Sequence, residues 1–110
     1  MSKVYAIIYE LRTAGRDYTP LYTAIKASGK WWHHLPSTWL IYTPQKAVEI
    51  WNRLAPHIHK NDSMLVIEVG GDSQGWLPPA AWDWIREHDR KVQRAAESPM
   101  KPLPAFGKNQ

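Results

Sequence analysis

The chain has 110 residues, 44% of them hydrophobic, with no cysteine and a formal net charge of +4. That length is one domain able to bury a modest core, and the lack of cysteine excludes both a disulfide framework and a thiolate metal site. No apolar run reaches membrane-spanning length and the segment MSKVYAIIYEL lacks a signal-peptide layout, so a cytoplasmic protein without a membrane partner is expected.

The positive charge is uneven. Of the 14 Lys/Arg and 10 Asp/Glu, nine and eight precede His88, and five and two follow it. A basic tail of this kind is either a solvated terminus or a phosphate-binding arm. Seven tryptophans stand against one phenylalanine. A small core cannot hide all seven indoles, so an aromatic patch at a groove or subunit interface is expected.

Lys3 to Leu11 (KVYAIIYEL) is a β-branched and aromatic run that reads as a central strand, with Glu10 at its end. Arg12 to Tyr18 is a polar loop. Thr19-Pro20 then reads as a helix start, a hydroxyl N-cap with proline at the first helical position. Leu21, Ala24, Ile25 and Ser28 follow at helical spacing, and Gly29 is the expected stop.

Trp31 to Thr43 (WWHHLPSTWLIYT) organises the chain as a hairpin or kinked strand. Two strand-forming halves flank Leu35-Pro36-Ser37. Thr43-Pro44 repeats the helix-start device, and Ala47, Ile50, Trp51 and Leu54 form a clear amphipathic stripe that Pro56 closes. After a polar connection with Asn61-Asp62-Ser63 turn chemistry, Met64 to Val69 reads as a second buried-type strand ended by Gly70-Gly71. A third helix is expected from Pro79 to about Arg94. The proline-rich stretch 98–110 is expected to be an extended or disordered tail, leaving residues 1–97 as the domain.

The order strand, helix, hairpin, helix, strand, helix predicts an α+β fold: a ferredoxin-like βαββαβ plait of two roughly three-turn helices on an antiparallel sheet, with an added C-terminal helix and a flexible basic tail. The sheet face away from the helices, expected to be rich in aromatics, would be closed by a second copy, which predicts a homodimer.

At Ile8-Tyr9-Glu10-Leu11 and Ser37-Thr38-Trp39 the chain resembles the small CRISPR-associated proteins of the spacer-integration complex, the VapD-type toxin ribonucleases and the SinR-like proteins. The family pattern is a first strand ending in an aromatic residue and Asp, a helix ending near Gly, and a strand beginning Ser-x-aromatic. Here Tyr9-Glu10, Gly29 and Ser37-Thr38-Trp39 hold those places, over about residues 3–70. Trp31-Trp32-His33 with Ser37-Thr38-Trp39-Leu40 looks most like the SinR-like branch. The resemblance implies a ferredoxin-like dimer that binds RNA or DNA, in some members a metal-dependent nuclease of antiviral defence whose first-strand Asp pairs across the dimer axis. Here Glu10 replaces that Asp. It can ligate Mg²⁺ or Mn²⁺ through oxygen but is one methylene longer.

The candidate catalytic residues are therefore Glu10, which is also the metal ligand, Ser37 and His33. Glu10 would share a hydrated Mg²⁺ or Mn²⁺ with its copy across a dimer, or else pair with Arg12 or Arg16 to shape a loop. His33 or His34 would act as a general base, or cap an aromatic cluster. As neighbours on a strand they point to opposite faces and cannot share a metal. Ser37 would hydrogen-bond a phosphate or the opposite subunit, or serve the turn. The candidate nucleic-acid contacts are Arg12, Arg16, Lys30, Trp31, Trp32 and Trp39. Within a basic rim that also includes Lys26, Lys46, Arg53 and Lys60, the indoles would supply base stacking. The rival reading is a non-catalytic interaction protein, of phage or mobile-element type, that binds a protein or nucleotide through its aromatic surface.

Overall fold

The computed structural model describes residues 1–70 and 72–88. The chain forms two units, Met1–Val69 and Gly70–Gln110. The first runs β1 (Lys3–Glu10), α1 (Thr19–Lys26), β2 (Lys30–Leu35), β3 (Thr38–Thr43), α2 (Ala47–Leu54), a 3₁₀ turn at Ala55–His57 and β4 (Ser63–Glu68). The second contains α3 (Pro79–His88). The fold class is α+β, with a four-stranded antiparallel sheet in the order β2-β3-β1-β4.

β1 is central, hydrogen-bonded to β3 on one side and β4 on the other. Alternation then divides its side chains between the two faces. Tyr5, Ile7 and Tyr9 turn to the helix side, where Leu21, Ile25, Trp39, Ile41, Ile50 and Leu54 complete the core. Each fully buried aliphatic side chain there, such as Ile7, Leu21 or Ile50, contributes about 1.5–3 kcal/mol over an exposed one. α1 packs beside β2 and α2 beside β4.

Both helices are eight residues long, nearer two turns than three. α1 stops early because Ala27–Gly29 must lead directly into β2. α2 tightens into the 3₁₀ turn at Pro56, which cannot continue an α-helical ladder. Their starts also differ from the sequence reading. Thr19 is already helical, and the capping oxygen is Oδ1 of Asp17, which accepts from the Thr19 amide at 2.9 Å. Thr43 ends β3, and its hydroxyl accepts from the Gln45 amide at 3.2 Å. α2 begins after Lys46, whose amide donates to Glu49 Oε1 at 2.9 Å, half of a capping box. Gly29 is no left-handed cap, because Gly15 alone among the described glycines has positive φ. It is glycine because a Cβ there would collide with the Tyr42 carbonyl and press on Thr43 Cβ.

β4 differs most from expectation. Met64 and Val66 pack on the core, while Leu65 and Ile67 are 52% and 46% exposed on the other face of an edge strand. A continuous apolar run reads the same for a doubly covered strand and for an edge strand that keeps exposed aliphatics.

In the second unit, the amides of Ala81 and Trp82 donate to the Pro78 carbonyl, and Arg86 pairs with Asp83 one turn away. The Trp84 and His88 rings stack, 4.3 Å between centroids. The expected extension of α3 to Arg94 and the tail 98–110 lie outside the described residues.

Candidate functional site

The β2–β3 hairpin carries a bulge between Trp32 and Leu35, and its register decides which rings meet. Trp31 pairs with Ile41 and so lies on the helix side, whereas Trp32 pairs with Leu40 and lies on the other. The hairpin indoles are therefore split between faces: Trp31 and Trp39 with the helices, Trp32 away from them.

On the helix side the rings form one connected cluster. Trp39 is buried and its indole N–H donates to the Tyr9 hydroxyl at 2.9 Å, which in turn donates to the Pro36 carbonyl at 3.2 Å. Burial raises the Tyr9 pKa against the opposing pull of the Trp39 hydrogen bond, so the phenol stays protonated. His33 lies flat on Trp39 at 3.7 Å with only 12° between planes, and Tyr22 stacks on Trp39 at 6.2 Å. His33 Nε2 is 3.3 Å from the same Pro36 carbonyl. Trp31 tilts against Trp39 at 5.3 Å and remains 44% exposed.

Cations surround the outer end of this cluster. Lys26, at the last turn of α1, places its ammonium 5.1 Å from the Trp31 ring centre. Arg53, reaching over from α2, donates to the Ala27 carbonyl at 2.9 Å, satisfying an orphan acceptor at the C-terminus of α1. Lys30 opens β2. The α1–β2 junction thus joins, on the helix side, one half-exposed indole, one exposed imidazole and the cations Lys26 and Arg53, with Lys30 on the other face of β2.

The other candidates lie elsewhere. Glu10 ends β1 beside Ser63 of β4, on the face away from the helices and from His33. Ser37 sits in the hairpin turn, where its carbonyl accepts the Tyr9 amide at 3.0 Å. Ser37 thus adjoins the Pro36 carbonyl that both His33 and the Tyr9 hydroxyl meet, while Glu10 follows Tyr9 on the opposite face of β1. Trp32 instead neighbours His34, ring centres 5.0 Å apart. Among the described residues no group of three His, Asp or Glu is placed to hold a metal ion.

Arg12 and Arg16 belong to a separate knot. Asp62 accepts from the Arg12 amide and the His59 amide at 2.8 Å each, from the Tyr18 hydroxyl at 2.7 and 2.8 Å, and from Thr13 Oγ1 at 3.3 Å. Partial desolvation opposes ionisation, but the donors from His59, Tyr18, Arg12 and Thr13 together lower its pKa to about 2. The Arg12 guanidinium donates to Ser63 Oγ at 2.9 Å, and Arg16 lies over the Tyr18 ring at 5.8 Å. This knot fastens the β1–α1 loop to the turn before β4.

Sequence reasoning missed Tyr9, Tyr22 and Asp62. Tyr9 and Tyr22 belong to the cluster only through the register and the helix packing, which no spacing in the chain reveals. Asp62 shows in sequence as ordinary turn chemistry.

Compared with protein-family models, curated proteins and solved structures, the chain matches none of them.

Proposed function

We propose that this is a nucleic-acid-binding protein built on a ferredoxin-like plait, acting as a homodimer in the manner of the CRISPR-adaptation and VapD-like group. The strand order β2-β3-β1-β4 with two helices on one face supports the plait. The single observation that carries the binding reading is Trp31, half exposed under the Lys26 ammonium at the α1–β2 junction. A cation over an exposed ring is worth about 0.5–1 kcal/mol, while a base stacked on an aromatic is worth about 1–3 kcal/mol. A base therefore displaces Lys26 from the ring and frees its charge for phosphate.

The dimer would bury Ile8, Leu65 and Ile67, a neighbouring aliphatic set exposed on the face away from α1 and α2. That arrangement would carry the Glu10 of each copy on the joined face, where a pair of carboxylates would hold Mg²⁺ or Mn²⁺ and polarise a phosphodiester.

The test is binding of labelled RNA and DNA across a salt series, with and without Mn²⁺. Phosphate contacts by Lys26, Lys30 and Arg53 predict a slope of log K against log salt of about −2 for a single strand. No binding, or binding indifferent to salt, overturns the reading. A salt-indifferent complex with a protein would instead favour the rival interaction module, for which Val48 and Trp51, exposed one turn apart on α2, offer a surface. Hydrolysis that needs Mn²⁺ and vanishes in Glu10→Ala would support the nuclease half; equal, null calorimetric heats for Mn²⁺ with wild type and Glu10→Ala would remove it.

A further inference from the structure

We infer that the α1–β2 corner is a seat for one unpaired base, so that the strand bound is single. This rests on the nucleic-acid reading and narrows it to a ligand class and an address. Trp31 belongs to an outer strand of the sheet and projects on the helix side, 44% exposed, with Trp39 tilted behind it at 5.3 Å. Trp39 is itself fixed, stacked by His33 on one side and hydrogen-bonded to Tyr9 at its N–H. The Trp31 ring therefore leans on a buried, immobile partner, and little side-chain freedom is lost when a ligand lands on it. The exposed His33 ring lies over the same Trp39, two residues further along β2.

Geometry excludes a duplex from this seat. Bases within a helix are already stacked and present only their edges in the grooves, so an indole reaches a base face only where the strand is unpaired. The charges match the same ligand. The Lys26 ammonium sits 5.1 Å from the ring centre, and Arg53 reaches the Ala27 carbonyl at the end of α1, so positive charge lies beside the ring on the helix side. Stacking has no base-edge code, so the site is tolerant of sequence. It is complete within one subunit and needs no second copy.

The experiment compares three probes by fluorescence anisotropy, each at the same series of salt concentrations: a short thymidine oligonucleotide, an abasic deoxyribose-phosphate strand of equal length and charge, and a short DNA duplex. Wild type is expected to bind the thymidine strand about tenfold tighter than either of the others. Trp31→Ala is expected to abolish that preference, with about a tenfold loss on the thymidine strand alone. Trp31→Phe retains a ring and should keep most of it, separating stacking from any loss of fold. Lys26→Ala should weaken the abasic and thymidine strands alike and flatten the salt slope by a little under one. Equal, salt-sensitive binding of the abasic and thymidine strands, or a Trp31→Ala variant with unchanged preference, overturns the base seat and leaves the nucleic-acid reading standing. Failure of wild type to bind any of the three overturns both.

Discussion

The two flanks of the sheet are built on different principles. The β2–β3 flank is held by rings: Trp39, Tyr9, Tyr22, His33 and Trp31 contact one another in series, with the Trp39 N–H and the Tyr9 O–H both satisfied. The β4 flank has thin packing, two half-buried side chains inward and two exposed aliphatics outward, and its preceding turn is held by one carboxylate with donors from four residues. An aromatic cluster is stabilised mainly by burial and dispersion, which are insensitive to pH. A carboxylate knot is stabilised by charge-assisted hydrogen bonds, which fail when the carboxylate is protonated. The same small domain should therefore respond to heat and mutation on one flank and to acid on the other.

The largest effect expected is on the aromatic flank. Trp39→Ala removes a buried indole and orphans the Tyr9 hydroxyl contact, and should cost about 3–5 kcal/mol in denaturant unfolding. Leu65→Ala, on the thin flank, should stay within about 0.5 kcal/mol when measured on the monomer at high dilution, since half of that residue is already in water in the single chain. Similar losses from the two substitutions would erase the contrast.

Gly29→Ala comes next. A Cβ there drives into the Tyr42 carbonyl, backbone that cannot swing aside as a side chain would. The loss should be about 1–3 kcal/mol by thermal unfolding, with β2 drawn away from β3 at the hairpin's open end. An unchanged melting temperature would mean that the α1–β2 junction has slack the packing does not show.

The acid response isolates Asp62. Its pKa when folded is about 2 against an ordinary 3.8, so the folded state binds the proton less readily than the unfolded chain. The stability it supplies is complete above the ordinary value and is lost as pH falls through the folded one. Between about pH 4 and pH 2, wild type should lose stability more steeply than Asp62→Asn, whose amide does not titrate in that range. Parallel curves from circular dichroism would show that other groups govern the acid transition. At neutral pH the Asn variant should expose the 12–18 loop to proteolysis, because its amide cannot accept from the same set of donors as a carboxylate.

How much of this was legible in the sequence differs between the flanks for the same physical reason. Ring-forming residues announce themselves by type and alternate with the strand, so β1, the hairpin around Pro36-Ser37 and the Ile50/Leu54 face of α2 were readable from period and composition alone. Which rings touch was not. A bulge between Trp32 and Leu35 moves the local register by one, and a one-residue slip exchanges the faces of a strand. Trp31 and Trp32 precede that bulge and are divided by alternation alone: Trp31 joins Trp39, while Trp32 is buried on the other face, where the exposed apolar residues are the aliphatics Ile8, Leu65 and Ile67. The Asp62 knot was illegible because its partners Arg12, Thr13 and Tyr18 lie 44 to 50 residues away and meet it only after the sheet has formed.

The smallest effect tests the far end of the β4 flank. Lys3 Nζ lies 3.4 Å from Glu68 Oε1, with both side chains about half exposed. An exposed ion pair between long side chains contributes about 0.2–1 kcal/mol, less as salt rises. The backbone next to it is held independently, since the Val69 amide donates to the Val4 carbonyl at 3.0 Å and Tyr5 pairs with Glu68 in the ladder. Lys3→Ala should therefore lower the unfolding free energy by no more than that amount, and the difference from wild type should vanish in molar salt. A loss several times larger, persisting at high salt, would mean that the end of β4 is held by this pair and not by the ladder, and that the thin flank depends on charge along its whole length.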